Sequence, residues 1–141
     1  MIKESNYASV TIVIPVRNEE GNIINNLQLI AKKVKISHSI IVVDGCSTDK
    51  TRGLVLSYAK EHKNVRIITT TPEMSGFKPS LDIGIAAAKT EFVAIVMGDL
   101  SDDPETINQM YAEAKHGADL VVGSRYISGG GKESEPFLQG T

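Results

Sequence analysis

A doubly wound α/β fold, in which a mostly parallel sheet carries helices on both faces, is the class this sequence predicts. Two observations lead there. Short runs rich in Val and Ile alternate with stretches of helical periodicity. The runs are apolar on both faces, as strands buried in a parallel sheet must be. Right-handed crossovers follow from the twist of such strands.

The first run, Val10–Val16, is short, β-branched and ends beside a proline, so it reads as a buried strand. A helix follows over about 19–34, because Ile23, Leu27, Ile30 and Val34 recur at helical spacing. Asn18 stands where it can cap that helix, with Glu19 and Glu20 at the positive end of its dipole and Lys32 and Lys33 at the negative end. The alternation continues with a strand over 39–43, a helix over about 48–61, a strand at Val65–Thr69 and a helix over about 79–89. A strand over 92–97, a helix over about 104–115 and a short fifth strand over 120–122 complete it. From Ser128 the chain reads SGGGKESEPFLQGT, glycine-rich and without periodicity.

Composition narrows the function. The 141 residues suit one domain, and 15 Lys plus Arg against 17 Asp plus Glu leave a formal charge of -2. That balance gives no reason to expect a nucleic-acid footprint or an anionic-membrane surface. The apolar stretches are too short to span a bilayer, residues 1–9 carry no signal-peptide pattern, and the single cysteine, Cys46, has no internal partner. A cytoplasmic setting is therefore expected. Neither a GxGxxG fingerprint nor a GxxxxGK[ST] loop follows the first strand, and there is no GxSxG elbow and no paired-His zinc motif. A nucleotidyltransferase should carry a glycine-rich basic loop after the first strand, and residues 15–19 are not such a loop.

In an open parallel sheet, ligands bind beyond the carboxyl ends of the strands. The residues at that edge are 15–19, 44–49, 98–103 and 123–126. Asp44, Asp99 and Asp102 would crowd like charges there unless a cation or hydrogen-bond donors were present, and hard oxygens of this kind suit Mg²⁺ or Mn²⁺ bound together with phosphates. Local roles compete. Asp103 precedes Pro104 and suits an N-cap, Ser47, Thr48 and Asp49 suit a turn, and Glu19 and Glu20 suit the helix dipole. Cys46 reads as a turn filler, and His38, His62 and His116 as surface residues. Asp99 ends a buried strand and has no capping explanation.

Five ordered stretches resemble family 2 glycosyltransferases, and among them the dolichol-phosphate mannosyltransferases. They are VTIVIPVRNEEGNI from Val10, IIVVDGCSTDKT from Ile40, GFKPSLDIGIAAA from Gly76, FVAIVMGDLSDDPETI from Phe92 and ADLVVGSRYISGGG from Ala118. The second is similar to the family's VDDGSTDGT, the fourth to its DADLQHPPE region and the fifth to its GSRYxxGGG segment. Three departures stand out: Met97 replaces the first Asp of the DxD motif, Gly45 the second Asp of VDDGS, and Lys78 and Ser80 stand where the family pattern has Gly and Ala.

The resemblance implies a GT-A fold, a nucleoside-diphosphate-sugar donor, Mg²⁺ or Mn²⁺, and a lipid-phosphate or related acceptor. It places Pro15, Arg17, Glu19 and Asp44 in the nucleoside pocket, with Ser47 and Lys78 added to the donor-binding set. Asp99 matches the last Asp of DxD and would hold the metal, Asp102 or Asp103 would supply the missing carboxylate, Asp102 being preferred because Asp103 has the competing capping role, and Arg125 would face the phosphates. The donor-binding part would cover about 8–127, followed by the tail 128–141. With no acceptor wall or membrane anchor after it, the chain is expected to be a truncated piece. The alternatives are a nucleotide-binding module without catalysis and, in a different class, a nucleotidyltransferase. Peripheral membrane association of a longer protein and homo-oligomerisation are both compatible with the sequence.

Overall fold

The computed structural model describes residues 8–123. Its elements are β1 (Val10–Val16), α1 (Ile23–Lys33), β2 (His38–Asp44), α2 (Thr51–Glu61), β3 (Val65–Thr69), α3 (Phe77–Ala87), β4 (Phe92–Ile95) and α4 (Thr106–Lys115), with a 3₁₀ turn at Pro72–Met74 before α3. The four strands form one parallel sheet in the order β3-β2-β1-β4. β1 lies inside it, with Val10 opposite both His38 and Phe92, and every one of its residues is buried. The doubly wound parallel architecture expected from the alternation is the one found.

The two faces carry separate cores. On one, Ile12, Ile14, Ile40 and Val42 pack against Ile23, Leu27 and Ile30 of α1, Val55 of α2 and Ile107 of α4. On the other, Val13, Ile41 and Val43 pack against Leu81, Ile83 and Ala87 of α3. Gly84 brings α3 flush to the sheet: a Cβ there would stand 2.3 Å from Val13 Cγ1 and 3.1 Å from Val43 Cγ2. Burying these β-branched side chains supplies the main driving force, at about 25 cal/mol per Å² of apolar surface.

Several boundaries move. α1 begins at Ile23 rather than near residue 19, because 19–22 form a turn in which the amides of Asn22 and Ile23 both reach Glu19 O. α2 begins at Thr51 and α4 at Thr106, each after a side-chain-stabilised turn. α3 starts at Phe77, two residues before Pro79, after Gly76 at φ 127°, a conformation glycine adopts without a Cβ penalty. β4 ends at Ile95, with a last ladder-like bond from Val96 N to Val13 O at 3.1 Å.

The expected fifth strand over 120–122 does not form. Leu120 is 81% and Val122 72% exposed. An isolated extended segment gains no ladder, and among the described residues no strand pairs with the outer side of β4.

Candidate functional site

β1 connects to β2 through a helix on one face, whereas β3 returns to β4 through α3 on the other. The chain therefore diverges between β1 and β4, the place where an open parallel sheet leaves a crevice at its carboxyl edge. A cleft of roughly 190 Å³ opens there. Pro15, Val16, Arg17 and Glu19 line it from β1, Gly45 from β2, Gly76, Phe77 and Ser80 from the first turn of α3, and Met97, Gly98 and Asp99 from β4. The positive end of the α3 dipole thus borders the cleft, an arrangement that favours anions.

The loops after β1 and β2 are tied to each other by side chains. Asn18 N donates to Ser47 Oγ at 2.9 Å, and Asn18 Oδ1 accepts from Thr48 N at 2.8 Å, Thr48 Oγ1 at 3.3 Å and Asp49 N at 3.3 Å. Glu19 N donates to Thr51 Oγ1 at 2.8 Å, Glu20 N to Asp49 Oδ2 at 3.2 Å, and Lys50 N to Glu20 Oε2 at 2.8 Å. Asn18 therefore does not cap α1, as its position predicts; it bridges to the neighbouring loop. Glu20 likewise serves the start of α2 rather than its own helix. Asp49 folds back on Thr51, accepting from its amide at 2.9 Å and its hydroxyl at 2.5 Å. Burial raises the Asp49 carboxyl, but the Thr51 hydroxyl and amide and the Glu20 amide outweigh it and leave the group below its ordinary value.

The loop after β4 is built differently. Gly98 lies so close to β1 that a Cβ would come within 2.6 Å of Val16 Cγ1. Asp99 Oδ1 accepts from Ser101 N at 3.0 Å, closing a short turn in which Leu100 sits at φ 65°. Asp102 Oδ2 accepts from Met97 N at 2.8 Å. Asp103 Oδ1 accepts from Glu105 N at 3.1 Å, so the residue does work as a cap for the turn before α4. That amide first, and Lys33 Nζ at 3.2 Å second, hold the Asp103 carboxyl below its ordinary value.

Among the described residues, three non-glycine residues have φ in the left-handed region: Asn18 (52°), Cys46 (60°) and Leu100 (65°). One lies in each of the three loops that border the cleft, and backbone of this kind clusters at functional sites.

Of the residues expected at the site, Pro15, Arg17, Glu19 and Asp99 line the cleft. Asp44 is adjacent but 1% exposed; its Oδ1 accepts from Ser47 N at 3.2 Å, and Gly45 rather than Asp44 forms the cleft wall. Ser47 is engaged with Asn18. Lys78 points outward and pairs with Asp82 at 2.6 Å, its side chain 84% exposed. Arg125 lies outside the described residues. Gly76, Phe77, Ser80 and Gly98 were not singled out as site residues from the sequence. Asn26 was missed altogether, although an amide one position from Leu27, between Ile23 and Ile30, marks a polar group on an apolar helix face. It is buried and donates from Nδ2 to Met97 O at 2.7 Å.

The chain is 30% identical over 131 residues to a dolichol-phosphate mannosyltransferase of Pyrococcus furiosus, covering 92% of this chain and 37% of that protein. It is 30% identical over 134 residues to a poly(ribitol-phosphate) beta-glucosyltransferase of Bacillus spizizenii, covering 92% of this chain and 21% of that protein. It thus spans well under half the length of either relative. Among solved structures it superimposes on S. aureus TarS in complex with UDP at a TM-score of 0.64 and 27% identity, over 77% of this chain and 32% of that one. The Pyrobaculum calidifontis mannosyltransferase PcManGT, solved with GDP-Man and Mn²⁺, shares the fold at a TM-score of 0.64 and 24% identity, over 74% of this chain and 32% of that one. These neighbours share the GT-A architecture expected from the sequence motifs. The model of glycosyl transferase family 2 matches residues 11–139, nearly the whole chain, and the chain therefore belongs to that family.

Proposed function

We propose that this chain supplies the donor-binding part of an enzyme that transfers a hexose from a nucleoside diphosphate sugar, GDP-mannose or a UDP-sugar, to a polyprenyl phosphate or related acceptor. The observation that carries the reading is the meeting of Arg17, Glu19, Asp99 and the first turn of α3 around one cleft. The relatives support it: one is named for transfer to dolichol phosphate, and TarS is seen with UDP and with UDP-GlcNAc.

The residues present fit a divalent ion of a particular kind. Among the described residues, no three His, Cys, Asp or Glu side chains are grouped to hold a metal ion by themselves. Asp99 is an exposed carboxylate on the cleft wall. Mg²⁺ and Mn²⁺ are commonly held by one or two carboxylates together with substrate phosphates and waters, and Asp99 meets that requirement. When bound, such an ion would neutralise the charge that develops on the departing diphosphate.

In the reaction, an oxygen of the acceptor phosphate attacks the anomeric carbon. The bond from that carbon to the β-phosphate oxygen breaks, and its electron pair leaves with the nucleoside diphosphate. An acceptor phosphate is already ionised near neutral pH, so no strong general base is required of this chain. Pro15, Arg17, Glu19 and Gly45 border the nucleoside half. Asp44 supports them by holding the turn after β2 rather than by lying in the wall. Asp99 and the α3 terminus border the diphosphate half, and Arg125 is assigned to the phosphates as a planar donor of paired hydrogen bonds. Lys78 is read as a solvated residue. Among the described residues, no helix is long and apolar enough to cross a membrane.

The test is calorimetry with UDP, GDP and their sugars, with and without Mn²⁺, on wild type and Asp99→Ala, beside a transfer assay to polyprenyl phosphate. Diphosphates should bind more tightly with Mn²⁺, and Asp99→Ala should abolish that gain while leaving the fold intact. Equal binding by both proteins with and without metal defeats the metal assignment; failure to bind any nucleoside diphosphate defeats the whole reading.

A further inference from the structure

We infer that Asp102 and Asn26 are positioning residues that fasten the Met97 peptide from both ends and thereby set Asp99 in the cleft wall, Asp102 serving this purpose instead of ligating the ion. The inference rests on the proposed role of Asp99.

Hydrogen bonding within the sheet stops just before this point. β4 ends at Ile95, and Val96 N makes the last bond to β1. Met97 has no strand neighbour, yet both of its peptide groups are held by side chains. Its N–H donates to Asp102 Oδ2 at 2.8 Å, and its carbonyl accepts from Asn26 Nδ2 at 2.7 Å. Backbone groups that leave a sheet and are shielded from water need partners elsewhere, and here, half-buried, they find them in α1 and in the loop before α4.

Asn26 shows that this linkage matters. It is 1% exposed, one of the buried residues of α1 with Ile23, Leu27 and Ile30, and its Oδ1 is buried without a hydrogen-bond partner. An unpaired buried acceptor is costly, and leucine at this position would avoid that cost. What leucine lacks is the donor that Met97 O receives.

The peptide so held leads directly to the chemistry. Gly98 is pressed against Val16, where no Cβ fits, and Asp99 follows immediately. Rotation of the Met97–Gly98 peptide would swing Asp99 along the wall. The carboxylate of Asp102 directs Oδ2 at the chain rather than adding to the cleft lining. Met97, which stands where the family motif has an aspartate, contributes here through its backbone.

The test compares Asp102→Asn with Asp102→Ala and adds Asn26→Leu. An asparagine keeps an oxygen that accepts from Met97 N–H but loses the charge a metal ligand needs. Two quantities are read: the gain in nucleoside-diphosphate affinity on adding Mn²⁺, and hydrogen exchange at the Met97 amide without any ligand. Asp102→Asn should keep the Mn²⁺ gain within about threefold and the Met97 amide slow, whereas Asp102→Ala and Asn26→Leu should weaken Mn²⁺-dependent binding about tenfold, and Asp102→Ala should also speed exchange. If Asp102→Asn loses the Mn²⁺ gain as fully as Asp102→Ala while the Met97 amide stays slow, Asp102 is a ligand and the inference is overturned. If wild type shows no Mn²⁺ gain at all, the metal assignment fails on its own. Equal exchange of the Met97 amide in wild type and Asp102→Ala then overturns the fastening separately.

Discussion

Replacing Asn18 tests whether the loops after β1 and β2 act as one wall of the cleft. The Asn18→Ala change removes an oxygen that accepts from Thr48 N at 2.8 Å and, less closely, from Thr48 Oγ1 and Asp49 N at 3.3 Å each. The freed donors are exposed and regain water, so the short bond is worth about 1 kcal/mol net and the longer two add little. Alanine must also occupy φ 52°, where asparagine is tolerated and alanine costs about 1 kcal/mol more. The sum is a loss of about 2 kcal/mol. Asn18→Gly removes the same bonds but accepts the backbone angle, so it should be the less damaging change by about 1 kcal/mol. Urea denaturation followed by circular dichroism measures both, with an unchanged m-value certifying that the midpoints report stability. If alanine is no worse than glycine, the backbone argument is wrong. If neither variant differs from wild type by more than about 0.3 kcal/mol, the bridge between the loops carries no stability.

Three further outcomes are expected. Gly84→Ala should destabilise by about 1–3 kcal/mol through overpacking against Val13 and Val43, read as a lowered thermal midpoint; an unchanged midpoint would show that α3 can lift without cost. Asp44→Asn should retain nucleotide affinity because its side-chain oxygen can still accept from Ser47 N, whereas Asp44→Ala should weaken it several-fold; equal losses in titration calorimetry would place the charge itself against the ligand. The Asp103 carboxyl lies below its ordinary value when folded, so its stabilising effect is fully present above about pH 4 and fades as pH falls through the folded value. The urea-midpoint difference between wild type and Asp103→Asn should therefore shrink on acidification below that point, and a difference that grows instead would reverse the sign of the argument.

The sheet was legible because its strands are decided by local pattern. Val10–Val16 and Val65–Thr69 appear with the bounds their runs of Val and Ile predict, and the helical spacing of Ile23, Leu27 and Ile30 marks the face that α1 buries. Errors arose where a residue's partner is distant in sequence. Asn18 has the chemistry of a cap, but its oxygen bonds a loop 30 residues away. The apolar run over 120–122 has strand propensity, but propensity does not supply a neighbouring strand. That residues 15–19 and 98–103 lie at the carboxyl edge, where Arg17, Glu19 and Asp99 line the cleft, was legible because that edge is a topological fact, whereas the roles of Arg17 and Glu19 came from the family resemblance. The two bonds to Met97 were not legible, since no periodicity reports that an amide on α1 faces a carbonyl 71 residues later.

The left-handed residues of the three cleft loops have a consequence for engineering. Asparagine tolerates this region, but Cys46 and Leu100 each store strain of about 1–3 kcal/mol that the surrounding fold must offset. Cys46 and Leu100 are thus the places where glycine would relieve the backbone, and a campaign selecting only for heat resistance would be drawn to them. Yet Leu100 follows Asp99, and Cys46 follows Gly45 in the cleft wall. A hardier variant obtained there would exchange a fixed loop for a looser one beside the cleft. Thermostability is better sought on the exposed later turns of α2 and α4, which run away from the carboxyl edge at which both helices begin.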